Sequence, residues 1–163
     1  MTKDSTSLDD LKKKYHELHK KYSLPSFEVV NELFDIEEVE SESDFLLRTI
    51  RRSISEKVSN YFHFVEVLLN PNNAPLYFYK LINRLETDDR TLLLHLYEKL
   101  GTIEVQTLLL DLSYSEKNEA AFIIQISELF SKEIKNSLSS YIKKITISEE
   151  VSAKHIRNGS YFG

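Results

Sequence analysis

Two stretches of helical character each carry a histidine and a glutamate three residues apart, His63 with Glu66 and His95 with Glu98. Side chains at i and i+3 share a helix face. Di-iron carboxylate bundles use such a pair on each of two helices, completed by a glutamate from each of two others, all projecting inward. Inward projection is the difficulty here. At 100° per residue, His63 lies opposite the sector formed by Leu47, Ile50, Ile54, Tyr61 and Leu68, and Glu66 falls outside that sector too. His95 and Glu98 occupy the polar wedge of their own helix, and the order within each pair is the reverse of the metal motif. Exposed surface pairs are therefore the leading reading. A metal-dependent bundle enzyme built on His63, Glu66, His95 and Glu98 stands as a second alternative. His16 and His19 share the same spacing, but no acidic residue follows at the distance of a zinc-protease helix, so they read as two solvated histidines.

A second cluster is cationic: Arg48, Arg51, Arg52 and Lys57. Arg48 and Arg52 are one helical turn apart and, with Lys57, could grip phosphate. This carries the first alternative, a nucleic-acid-associated accessory factor. A net charge of −5 and the lack of a basic tail argue against phosphate neutralisation as the main task. Arg51 lies beside the apolar sector, where a cation must pair or snorkel. Glu104 is placed similarly on its own helix, so an Arg51–Glu104 contact is expected.

The remaining composition removes most other chemistry. Phosphate-cradling loops, dinucleotide turns and nucleophile elbows need glycine where the backbone turns sharply or approaches a ligand. The chain has three glycines, one in a helical pattern and two near its end. With no cysteine there is no thiol nucleophile, iron–sulfur cluster or disulfide framework. No catalytic residue, cofactor or small-molecule ligand is assigned.

The elements that would position these side chains are all helical. Leu8, Leu11, Tyr15, Leu18 and Tyr22 alternate spacings of three and four, the narrow seam of a coiled coil, on a helix over residues 7–22 that Ser7 can cap. Leu24-Pro25 breaks it, and Ser26 caps a short helix through Phe34. From Glu28 to Asp44 every charged residue is acidic, which predicts an exposed acidic linker at 35–42, with Ile36 and Val39 tacked onto the core. Ser43 is the expected cap of a long helix over 44–69, ended by Asn70-Pro71-Asn72-Asn73-Ala74-Pro75. A short aromatic helix follows at 76–85. The next, from Thr87 to Leu112, is apolar nearly all round and reads as the enclosed central helix, with Gly101 permitting a kink or close approach of a neighbouring backbone. Ser115 starts a last long helix to about residue 147.

The predicted fold is all-α: a single-domain antiparallel bundle of five to seven helices around an apolar central helix. Residues 1–147 form the domain, and 148–163 form a short helix with a glycine stop or a flexible tail carrying Tyr161 and Phe162. No apolar run approaches the roughly 20 residues of a membrane span, and the first residues lack a signal-peptide pattern, so a cytoplasmic location is expected. The expected function is non-enzymatic association with a protein partner or with itself as a homodimer or other homo-oligomer. Leu8, Leu11, Tyr15, Leu18 and Tyr22, together with Tyr77 and Tyr79, are the candidate contact residues.

Overall fold

The computed structural model describes the backbone of residues 5–158 and the side chains of residues 7–147 other than Asn73. The described chain is all-helical, with no strand. Its α-helices are α1 (Ser5–Tyr22), α2 (Phe27–Phe34), α3 (Leu46–Leu69), α4 (Leu76–Ile82), α5 (Thr87–Leu112), α6 (Glu116–Leu129) and α7 (Lys135–Asn158). None is long and apolar enough to cross a membrane among the described residues.

Local chemistry explains most boundaries. Ser23 takes a positive φ of 56° after α1, and Ser26 caps α2 by accepting from the Val29 amide. Asp35, also left-handed, stops α2. α3 begins two residues later than expected, because Ser43 Oγ is occupied locally: it accepts from the Phe45 amide and from Thr49 Oγ1 and caps no helical turn. α5 opens with a reciprocal cap in which Glu86 and Asp89 each accept from the other's backbone N–H. Ser115 caps α6 through the Asn118 amide.

α6 and α7 form one continuous rod, joined by a π-helical turn at Phe130–Ile134. The apolar side chains explain this turn. Phe130, Ile134 and Leu138 recur every four residues, and each such step drifts about 40° round a 3.6-residue helix. One wider turn absorbs the drift, and all three stay buried. α7 runs on unbroken to Asn158, so residues 148–158 continue this helix; the expected Gly159 stop, Tyr161 and Phe162 lie outside the described residues.

Contacts along the helices set their directions. Arg48 meets Leu110 and Asp111, Ser59 meets Glu104, and Phe62 stacks on Tyr97, so α3 and α5 run antiparallel. Arg51 meets Glu119 and Tyr61 meets Phe130, so α6 runs parallel to α3. The three long rods thus alternate up, down and up, with α1 and α2 laid over α3 and α6 and α4 closing one end.

α3 is the hub, packing against α2, α4, α5 and α6. The enclosure expected of α5 holds along one face only. Leu93, Leu96, Leu100 and Ile103 are buried against α3, while the opposite side faces solvent. Gly101 approaches a side chain rather than a backbone: a Cβ there would sit 3.3 Å from Phe62 Cε2. The segment at 35–42 is pinned by buried Ile36, Val39 and Ser41, and Lys14 Nζ donates to the Ser41 carbonyl at 2.7 Å.

Candidate functional site

The outer face of α5 departs from an ordinary surface. Leu94, Val105, Leu108, Leu109 and Leu112 are 52 to 83 % exposed. Val105, Leu108, Leu109 and Leu112 follow the i, i+3, i+4, i+7 spacing of a core-facing stripe, and here all four are exposed. Leu109 and Leu110 also border a shallow hollow of about 240 Å³ floored by Ala121 and Phe122 of α6. The sequence does show the surplus, since α5 carries enough apolar residues for two faces. Which face is covered depends on its neighbours.

The N-terminal seam is differently placed. Leu11 and Tyr15 are buried in the chain's own core, and Leu8, Leu18 and Tyr22 pack half-buried against it. Tyr15 Oη donates to the Pro25 carbonyl at 2.8 Å, its ring meets Phe27 edge-on, and burial drives its ionisation well above the ordinary tyrosine value. Tyr22 Oη donates to Glu116 at 2.5 Å. Within the chain, the turn at Ser23–Ser26 brings α2 back beside α1, and Phe27 packs on Tyr15, so Leu11 and Tyr15 of the seam face the chain's own core. The aromatic pair on α4 is more open. Tyr77 and Tyr79 are both exposed, with Tyr79 Oη donating to the Pro71 carbonyl at 2.9 Å.

The basic cluster is drawn into intramolecular contacts. Arg51 is buried; its Nε donates to Glu119 Oε2 at 2.8 Å and its Nη2 to Asp111 Oδ1 at 2.7 Å. Burial opposes the Arg51 charge, yet its hydrogen bonds to the Glu119 and Asp111 carboxylates overcome it and hold the guanidinium more firmly protonated. The same Arg51 contact holds the Asp111 carboxyl below the ordinary carboxylate range. Arg48 donates to the carbonyls of Leu110 and Asp111 at the C-terminal end of α5, where the helix dipole favours a cation, and lies over the Tyr114 ring. Arg52 is 3.7 Å from Asp111, and Lys57 pairs with Asp35. For the nucleic-acid alternative, this means that Arg48, Arg52 and Lys57 all face carboxylates or carbonyls of their own chain.

The expected Arg51–Glu104 contact does not form. Arg51 precedes Ser59 by eight residues, about 12 Å of helix, and in the antiparallel pairing it is Ser59 that reaches Glu104, donating at 2.6 Å. Arg51 consequently lies further along α5, at Asp111. Asp111 and Glu119, missed in the sequence, could have been found only by setting this register.

The two His–Glu pairs lie on the surface. His63 is exposed and Glu66 half-buried, with Nδ1 to Oε2 at 3.8 Å. His95 turns instead to Glu133, 2.6 Å away, with Lys99 on the other oxygen at 3.1 Å, and Glu98 stays exposed. These two contacts hold the Glu133 carboxyl below its ordinary value. Among the described residues no three histidine, aspartate or glutamate side chains gather as a metal site requires, so the dimetal alternative has no assembled ligand set there. His16 and His19 stack, their ring centroids 6.0 Å apart, and His19 Nδ1 lies 2.5 Å from the Leu24 carbonyl oxygen.

The chain matches no known protein family, no curated protein and no solved structure.

Proposed function

We infer that the chain is a non-enzymatic association module that pairs with a second copy of itself through the outer face of α5. The observation that carries this reading is the exposed stripe of Val105, Leu108, Leu109 and Leu112. Val105, Leu108 and Leu112 have the alternating spacing of a coiled-coil seam, and an apolar stripe of this kind is self-complementary. A two-fold dimer brings such a stripe against its own copy and closes the assembly. Exposed apolar side chains scattered singly are ordinary on monomers, but contiguous ones mark interaction surfaces. Stable dimers bury roughly 800 Å² per partner, which two turns of leucine, extended by the hollow beside Leu109, begin to supply.

The test is molecular mass in solution across a concentration series, by sedimentation equilibrium. The wild-type chain is expected to dimerise, and Leu108→Glu with Leu112→Glu is expected to be monomeric with unchanged helicity. A wild-type monomer at several hundred micromolar, or a double variant that still dimerises, contradicts the assignment.

A further inference from the structure

A groove elsewhere on the molecule combines an apolar floor with a cationic rim. Leu33 of α2, Tyr61 of α3, Phe130 of the π turn, and Leu138 and Ile142 of α7 line a cavity of about 380 Å³. Lys57, Lys135 and Lys143 surround it, against one carboxylate of the lining, Glu32. Tyr61 and Ile142 also line a second cavity of about 330 Å³. That cavity continues along α7 past Ile145, is walled by Phe64, Phe78 and Leu81, and has almost no polar lining beyond Thr146. The two hollows adjoin at Tyr61 and Ile142, which line both. From Lys135 to Thr146 the pair follows eleven residues of α7, about 16 Å. One end is cationic and the other apolar.

The cations at that end are not locked in place. Lys135 pairs with Glu32 at 2.7 Å and Lys57 pairs with Asp35, and all four side chains are at least partly exposed. Ion pairs in water are weakly held and exchange partners readily. Lys143 stands exposed beside them. An incoming anion meets more cations than carboxylates at this end, and an attached hydrocarbon chain has a dry path away from it. Cavities of a few hundred cubic ångströms with apolar walls and a few converging polar groups are the usual form of small-ligand sites. The π turn contributes directly, because it keeps both Phe130 and Leu138 on the core side while Lys135 sits at the rim.

We propose that the groove between α2, α3 and α7 binds a single-chain anionic amphiphile of the fatty-acid class, its carboxylate among Lys57, Lys135 and Lys143 and its chain along Tyr61, Ile142 and Ile145. Nothing in this assignment depends on the α5 face, which is formed by other residues.

Dodecanoate, kept below its micelle-forming concentration, is the probe. Calorimetric titration of the full chain is expected to give one saturable site. Dodecyltrimethylammonium, of equal chain length and opposite charge, is expected to bind at least ten-fold more weakly. Lys135→Gln with Lys143→Gln is expected to weaken dodecanoate at least five-fold, and Ile142→Glu to abolish its binding with helicity retained. Should Ile142→Glu fail to fold, methyl NMR of the wild-type chain gives the location: Ile142 and Ile145 are expected to shift and buried Ile50 and Ile54 to stay. Absence of saturable binding, equal affinity for the cationic probe, or shifts confined elsewhere overturns the proposal. Leu108→Glu with Leu112→Glu is expected to bind dodecanoate like wild type, which separates failure of this site from failure of the dimer.

Discussion

Arg51 and Glu119 form a two-point ion pair, Nε to Oε2 at 2.8 Å and Nη2 to Oε1 at 3.4 Å, with side chains only 1 % and 0 % exposed. It ties α3 to α6, and Asp111 extends it to α5, so one guanidinium joins all three long rods. Removing one partner leaves the other charge buried, at a cost of about 3–5 kcal/mol for such pairs. Glu119→Leu is expected near the lower end, since Asp111 still faces Arg51. Arg51→Met combined with Glu119→Leu is expected to recover most of the loss, because apolar replacements of a buried pair are often neutral or better. Urea unfolding of the two single variants and the double variant measures this coupling.

The two faces of α5 are expected to respond in opposite ways. Leu96 and Leu100 are fully buried against the rest of the bundle, and truncating either to alanine should cost about 2–5 kcal/mol. Leu108→Ala on the outer face should change the stability of the monomer by less than about 0.5 kcal/mol. Thermal melts at low protein concentration make the comparison. A large loss at Leu108 under those conditions would mean that the outer face is covered within the chain.

Gly101→Ala sets two effects against each other. Alanine is favoured over glycine inside a helix by about 1 kcal/mol, whereas the new Cβ would lie 3.3 Å from the edge of the Phe62 ring. That ring is only half-buried and stacks on Tyr97 with centroids 4.9 Å apart, so it can yield by a few tenths of an ångström. A net gain of roughly 0.5 kcal/mol is expected, readable as a higher melting temperature. Gly101→Leu should lower it by pushing Phe62 off Tyr97.

Stability should fall at both ends of the pH scale. In the folded chain Asp111 is held low by Arg51, and Glu116 by Lys21 and Tyr22. Asp89, which burial alone would raise, is held low by Lys144 and the Glu86 amide. Depressed carboxyls stabilise above their unfolded value of about 4, and that contribution is lost as pH drops below it. At the alkaline end, burial raises Tyr15 strongly and pushes Tyr141 up to about 12, with the Asp89 charge adding to the latter. Raised tyrosines stabilise fully below an unfolded value of about 10, and that contribution is lost above it. Urea midpoints should therefore form a plateau from about pH 5 to 9. Among the described residues Tyr141 Oη is buried without a hydrogen-bond partner, so Tyr141→Phe should keep or raise mid-range stability and reduce the alkaline loss.

Much of the architecture was legible along the chain because its causes are local. Ser26, Ser115 and the Leu24-Pro25 break mark helix ends through side-chain capping and backbone restriction within a few residues. The apolar repeats on α3 and α6–α7 identify which residues face inward. Direction around a helix follows from residue spacing, and His63, His95 and Glu98 are exposed while Glu66 is half-buried. Ser43 is the local exception: its hydroxyl served two nearby donors and left the helix to begin later.

What spacing alone cannot determine is the register between helices and which side of an apolar helix is covered. Arg51 requires a carboxylate wherever it is buried, but the choice of Asp111 and Glu119 over Glu104 comes from the axial offset of α3 and α5 and the parallel course of α6. α5 is apolar on both sides, so its own residues specify a helix with two sticky faces. The burial of Leu96 and exposure of Leu108 arise because the remaining helices cover one side only. The groove beside Tyr61 is likewise built from residues more than a hundred positions apart, brought together when α2, α3 and α7 pack. Local chemistry thus determined the helices and their inward faces; packing in three dimensions decided the ion pair, the open stripe and the groove.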